Sequence, residues 1–142
     1  MESMGSAILP LWSKEIPVET AAADVFVYTF RHAAIVKDFE LVVTNAAVAA
    51  DATPASIAVD FDPSDGARVE KVVFVVSDGQ TVGAVQSAGI DVLNGLGEWT
   101  PFNVKPGDQL IVEVKTAAAD AGTETGEFIV NAIVQFYPDK YS

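Results

Sequence analysis

Phe102-Asn103-Val104-Lys105-Pro106-Gly107-Asp108-Gln109-Leu110-Ile111-Val112-Glu113-Val114-Lys115-Thr116 is the stretch on which the fold turns. At its centre, Pro106 presets φ at the second turn position and Gly107 accepts positive φ at the third. Lys105–Asp108 therefore reads as a type II turn. Trp99–Val104 enters it as a short strand. Leu110–Thr116 leaves it as another, with Leu110, Val112 and Val114 inward and Glu113 and Lys115 outward. A period of two puts successive side chains on opposite faces of an extended chain, so this is strand, turn, strand.

The same period recurs outward from there. In Val25–Ala34 the even positions Phe26, Tyr28, Phe30 and His32 oppose Val25, Val27, Thr29 and Arg31. Large rings on one side and β-branched or charged groups on the other describe a strand with an aromatic inner face. Phe39, Leu41 and Val43 alternate with Glu40, Val42 and Thr44, and Ile57, Val59 and Phe61 with Ala58, Asp60 and Asp62. Val69–Ser77 is a fuller apolar run, which predicts a central strand covered on both faces. It ends at Asp78-Gly79, a type I′ hairpin signal, with Thr81–Gln86 as the returning strand. Ser87–Glu98, carrying Gly89, Gly95 and Gly97, reads as an irregular connection. The alanine-rich stretches Ala46–Ala55 and Ala117–Ala121 read as exposed loops, and Phe128–Tyr137 as the longest strand.

Seven or eight short strands with a turn signal about every ten residues indicate an all-β fold, an antiparallel β-sandwich. There is no Cys…Trp…Cys spacing for the immunoglobulin version, since the chain has no cysteine. A jelly-roll-like sandwich of about eight strands is favoured. Residues 1–22 are assigned to an N-terminal arm and first strand, and residues 23–142 to the sandwich.

Composition narrows the function. A length of 142 residues fits one domain, and 50% hydrophobic content argues against disorder. Twenty acidic against eight scattered basic residues, a net charge of −12, predict no binding to nucleic acid or anionic membrane. No run of eighteen apolar residues is present, and Met1-Glu2-Ser3-Met4 lacks the basic start of a signal peptide. No G-x-S-x-G elbow, phosphate-binding loop, H-E-x-x-H or dinucleotide fingerprint occurs, and the expectation is no enzyme and no cofactor. The single histidine, His32, falls at the end of the aromatic stripe and reads as a strand-end packing residue. Asp60-Phe61-Asp62-Pro63-Ser64-Asp65-Gly66 offers carboxylates as an EF-hand loop does. Its glycine comes one place late, and Lys71 stands where the bidentate glutamate belongs. It reads as a turn, and no metal site is assigned.

The residues left over are apolar ones without an evident place. Ile8, Leu9, Leu11 and Trp12 precede the main strand pattern, with Pro10 keeping them extended. On the last strand Phe128, Val130, Val134 and Phe136 fit a core face, while Ile129, Ile133 and Tyr137 populate the other. That second face needs cover. These seven residues, Ile8, Leu9, Leu11, Trp12, Ile129, Ile133 and Tyr137, are the candidate interaction residues.

Three segments carry a family likeness: Phe26-Val27-Tyr28 through Ala34–Phe39, Ser56–Phe61 with Val72–Gly79, and above all Phe102–Leu110 with its Pro-Gly-Asp turn. From Ala23 to Pro138 the chain resembles the small jelly-roll domains of tailed-phage virion proteins, especially capsid decoration (cement) proteins. The resemblance implies a structural protein on the capsid surface. It would be a homotrimer seated on the major capsid protein lattice, stabilising the shell through a hydrophobic N-terminal segment or lateral contacts. It carries no catalytic or cofactor residue. A pre-strand Pro-Gly-Asp turn also occurs in sugar-binding sandwiches, so a carbohydrate- or receptor-binding module of a tail or cell-surface protein is the alternative.

Overall fold

The computed structural model describes residues 8–49, 55–76, 80–89, 100–117 and 125–137. Among the described residues ten strands run in order as β1 (Ile8–Trp12), β2 (Ile16–Pro17), β3 (Ala23–Thr29), β4 (Ala34–Ala49) and β5 (Ala55–Asp62). They continue as β6 (Val69–Val76), β7 (Val85–Ser87), β8 (Phe102–Val104), β9 (Gln109–Thr116) and β10 (Thr125–Phe136). The larger sheet has the order β1-β10-β4-β7, with β2 also on β10 and β8 also on β4, and the smaller has β3-β9-β5-β6. Every pairing is antiparallel.

Short strands β1 and β2 lie on successive parts of β10, and β7 and β8 on separate parts of β4. Each pair is one broken strand. Counted so, eight strands remain, and the two sheet orders become 1-8-3-6 and 2-7-4-5. Strands from both ends of the chain thus interleave in each sheet, and the sandwich is a jelly roll.

Burial follows the alternation. Phe39, Leu41 and Val43 of β4, Ile57 and Val59 of β5, and Leu110, Val112 and Val114 of β9 are all core residues. Phe30, Phe39, Phe74 and Phe128 are the largest side chains fully enclosed between the sheets. Phe26 and Tyr28 are half-buried against that core. His32 stands exposed at the strand's end, its ring edge-on to Phe136 with centroids 6.5 Å apart.

Four expectations are corrected. Strand β6 is an edge of the smaller sheet, not a central strand: Val72, Phe74 and Val76 point in, while Val69 and Val75 are exposed. Outward β-branched residues suit a half-exposed pleated surface as well as a buried one, so the valine run did not discriminate. Segment 85–87 pairs with β4 of the opposite sheet and does not return along β6. Strand β4, at 16 residues, is longer than β10 at 12. Strand β4 also runs on through Ala49, paired there with Thr125, where an alanine-rich loop was expected. Asp78-Gly79 and Trp99 lie outside the described residues.

Around Pro106 the chain turns as read. Gly107 has φ +95°, and the Asp108 N–H donates to Lys105 O at 3.1 Å. The turn is stitched to the end of β3: Gly107 N–H donates to Phe30 O at 2.8 Å, and Phe30 N–H to Asp108 O at 2.9 Å. A Cβ on Gly107 would meet Ser64 Cβ at 3.5 Å, an ordinary contact. The cost of Gly107→Ala is therefore conformational, about 1–2 kcal/mol for a left-handed L-residue, to be read as a lower urea midpoint at unchanged slope.

Candidate interaction surface

Strand register decides which residues share a face. On the larger sheet Leu9 pairs with Val134 and Leu11 with Ala132, while Ile8, Pro10 and Trp12 pair with Gln135, Ile133 and Asn131. Val130, Ala132 and Val134 are core residues, so the second row points away from the sandwich. Continuing across β10 into β4, Ile129 meets Val42, Asn131 meets Glu40, Ile133 meets Asp38 and Gln135 meets Ile35. Val42 then meets Val85 of β7.

The structure thus brings Ile8, Trp12, Ile129 and Ile133 onto one outward face. Trp12 is 49% exposed and Ile8 57%, while Ile129 and Ile133 are half-buried. Leu9 and Leu11 belong to the inner row. Leu11 packs against the core, and Leu9, near the open edge, stays exposed. Ile8–Trp12 is therefore an edge strand of its own sandwich, and Pro10 removes one backbone donor from that edge. Tyr137 follows β10; its hydroxyl donates to Asn103 Oδ1 and its N–H to Ala33 O at 3.0 Å. Its half-exposed ring is tied toward β8, just past Gln135, the residue that pairs with Ile8.

Ile35, Val42 and Val85 join the same face and were not singled out from sequence. Their signal was there, as apolar residues at the outward positions of otherwise polar rows. The polar groups between them are held from within the chain. Asn131, 2% exposed, donates through Nδ2 to Glu40 Oε1 at 3.1 Å. Asp38 accepts from the N–H groups of Phe39 and Gly89 and from Ser87 Oγ. Thr44 donates to Glu15 and Asn45 to Glu127, both at 2.6 Å. Asn131 Oδ1 alone among these groups has no donor, so the aliphatic and aromatic surface is the larger part that gains from being covered.

The other face differs in character. Arg68, in the β5–β6 connection, pairs with Asp24 and Asp60 at 2.7 Å each, Lys115 with Glu70 at 2.7 Å and Lys105 with Asp65 at 2.8 Å. Hydrogen bonds from Arg68 hold Asp24 below the usual carboxylate range despite partial burial. Asp60 and Asp65 of the candidate loop are thus each taken by a cationic side chain. Among the described residues no group of three acidic or histidine side chains is placed to hold a metal ion. Between the edge strands β1 and β3 a cleft of about 20 Å³ reaches in past Leu11, Ser13 and Tyr28 to Phe39 and Val59. That is room for about one water molecule, not for an organic ligand.

No family model matches the chain, and no curated protein matches it. A solved structure described as "Structure of infectious bursal disease virus Gx strain" is similar at 12% identity and a TM-score of 0.32. The match takes in 92% of this chain and 33% of that one, so this chain spans about a third of its length. A superposition at that TM-score carries no weight for function.

Proposed function

We propose that this chain is a structural assembly subunit that decorates and stabilises a phage capsid, burying the outward face of its larger sheet against neighbouring subunits and the capsid lattice. The observation that carries the assembly reading is the gathering of Ile8, Trp12, Ile129 and Ile133, drawn from opposite ends of the chain, onto one outward face. The viral setting is supported by the resemblance of Phe102–Leu110 and the flanking strands, together with a jelly-roll strand order. The resemblance favours a trimer.

Each such side chain fully removed from water contributes about 1.5–3 kcal/mol. Ile133→Asp on the outward row should therefore weaken association at least tenfold, because about 1.4 kcal/mol is a factor of ten. Ile133 is half-buried and stands opposite Asp38, so that variant's own unfolding temperature should fall as well. Ile8→Asp at the 57% exposed edge is the variant whose unfolding should stay close to the parent's. Light scattering on parent and variant, and their retention on purified capsids, are the measurements. A parent protein that stays monomeric and passes capsids by would end the decoration reading.

One observation favours the second reading. The half-exposed Trp12 ring lies across from the Asn131–Glu40 pair, an aromatic platform beside polar groups of the kind that holds a sugar ring. Oligosaccharide-dependent quenching of tryptophan fluorescence, lost in Trp12→Ala, would put a carbohydrate-binding module in its place.

A further inference from the structure

On the outward face of the smaller sheet, Asp24 of β3, Asp60 of β5 and Glu113 of β9 converge on Arg68. Arg68 forks onto Asp24, with Nη2–Oδ1 2.7 Å and Nη1–Oδ2 3.0 Å, and its Nε donates to Asp60 Oδ2 at 2.7 Å. Glu113 receives only a longer contact, 3.7 Å from Nη2. The guanidinium's directed hydrogen bonds are thus spent on two of the three carboxylates.

What remains is unbalanced. Asp60 is 5% exposed, and its Oδ1 has no donor. A buried acceptor left in that state is costly. Register sets Glu113 opposite Ala58, two residues from Asp60 along the same row of β5, and the two carboxylates face the same guanidinium, Asp60 at 2.7 Å and Glu113 at 3.7 Å from Arg68. Two ionised carboxylates have no hydrogen to put between them; one proton turns the contact into a hydrogen bond and supplies the missing donor. We propose that Asp60 and Glu113 bind one proton between them, making this corner of the smaller sheet a proton-binding site that ties β9 to β5.

The surroundings favour the proton. Burial raises the pKa of Glu113 first, and the charge of Asp60 raises it further, against the pull of Arg68. The other charged groups facing it are Asp24 across the strand pair and Lys115 on its own strand, itself paired with Glu70 of β6. A folded-state pKa above the unfolded one means that the stabilisation is complete below about pH 4.3, the ordinary glutamate value. It is lost as pH rises through the folded value. Above that, the two charges repel and the clasp between β5 and β9 loosens.

Titration of the side-chain carboxyl carbons by NMR reads the site directly in the unaltered chain. Glu113 should titrate at a midpoint above about 4.3, and Asp60→Asn should bring that midpoint back down. Glu113→Gln keeps a donor for Asp60 Oδ1 and removes the titration. Relative to it, the parent's melting temperature should fall as pH rises between those two values, by about 4 °C for each unit by which the folded pKa is raised. A Glu113 midpoint at or below the ordinary value would overturn the proposal. So would a parent-minus-variant difference that is flat from pH 4 to 8. Should the glutamine variant fail to fold, the NMR midpoint of the parent still decides.

Discussion

Phe30→Ala is expected to cost about 3–5 kcal/mol, the range for emptying a fully buried aromatic site. Phe30 is 1% exposed, with its ring edge-on to Tyr28 at 5.0 Å and tilted to Phe136 at 6.4 Å. Two features place the loss high in that range. The backbone of Phe30 is bonded on both sides to the turn before β9, so the chain cannot sink into the space the ring leaves. The neighbouring aromatics are held by their own strands in opposite sheets. Against a total stability of about 5–15 kcal/mol for a domain of this kind, the variant should unfold at a much lower urea midpoint with little change of slope. Val27→Ala is the control: Val27 lies on the outward row of β3, the strand that leads into Phe30, at 48% exposure, and its loss should stay within about 0.5 kcal/mol. A Phe30 variant no less stable than the Val27 one would remove the aromatic stripe from the core.

What could be read in advance follows from how local the determinants are. Rows such as Phe39-Leu41-Val43 and Leu110-Val112-Val114 were legible because each contains its own period, and the Pro106-Gly107 turn because its two residues fix their own dihedrals. The edge position of β6 was not legible. Valines buried on both faces and valines left half-exposed on one spell the same string. Nor was the crossing of segment 85–87 to the other sheet, since the choice of partner strand is made by long-range packing and not by the turn that precedes it. The candidate surface shows the same division. Ile8 and Trp12, and separately Ile129 and Ile133, stood out as apolar residues without a place. Their meeting on one face depends on the antiparallel register of β1 on β10, which neither segment encodes alone. The cluster of Arg68 with Asp24, Asp60 and Glu113 draws on four separate segments, and no spacing announces it.

Asp108→Ala should be the most damaging change to a polar side chain, at about 2–5 kcal/mol. Asp108 is 2% exposed and ties two loops together, accepting from the N–H of Ser64 before β6 and from that of Lys105 in its own turn, each at 2.9 Å. Its removal takes the charged acceptor from two part-buried backbone donors, and a hydrogen bond to a charged group contributes about 1.5–3 kcal/mol. Asparagine is a poor substitute, because one of its two polar atoms is a donor and would face one of those N–H groups donor to donor. The carboxylate also sets an acid limit on stability. Burial alone would raise its pKa. The N–H groups of Ser64 and Lys105, with the Lys105 charge 3.7 Å away, outweigh burial and hold the pKa below the usual range. A depressed pKa gives stability that is present above the unfolded value of about 3.9 and lost as pH falls through the folded one. The gap between the parent and Asp108→Asn should therefore be full near neutrality and close on acidification. The gap between the parent and Glu113→Gln should move the other way, with the parent losing ground as pH rises. Thermal unfolding of the two variants across one pH series makes each the control for the other. If the Asp108→Asn gap were the same at pH 2.5 as at pH 7, the charge of Asp108 would contribute nothing, and its role would reduce to the shape of the turn.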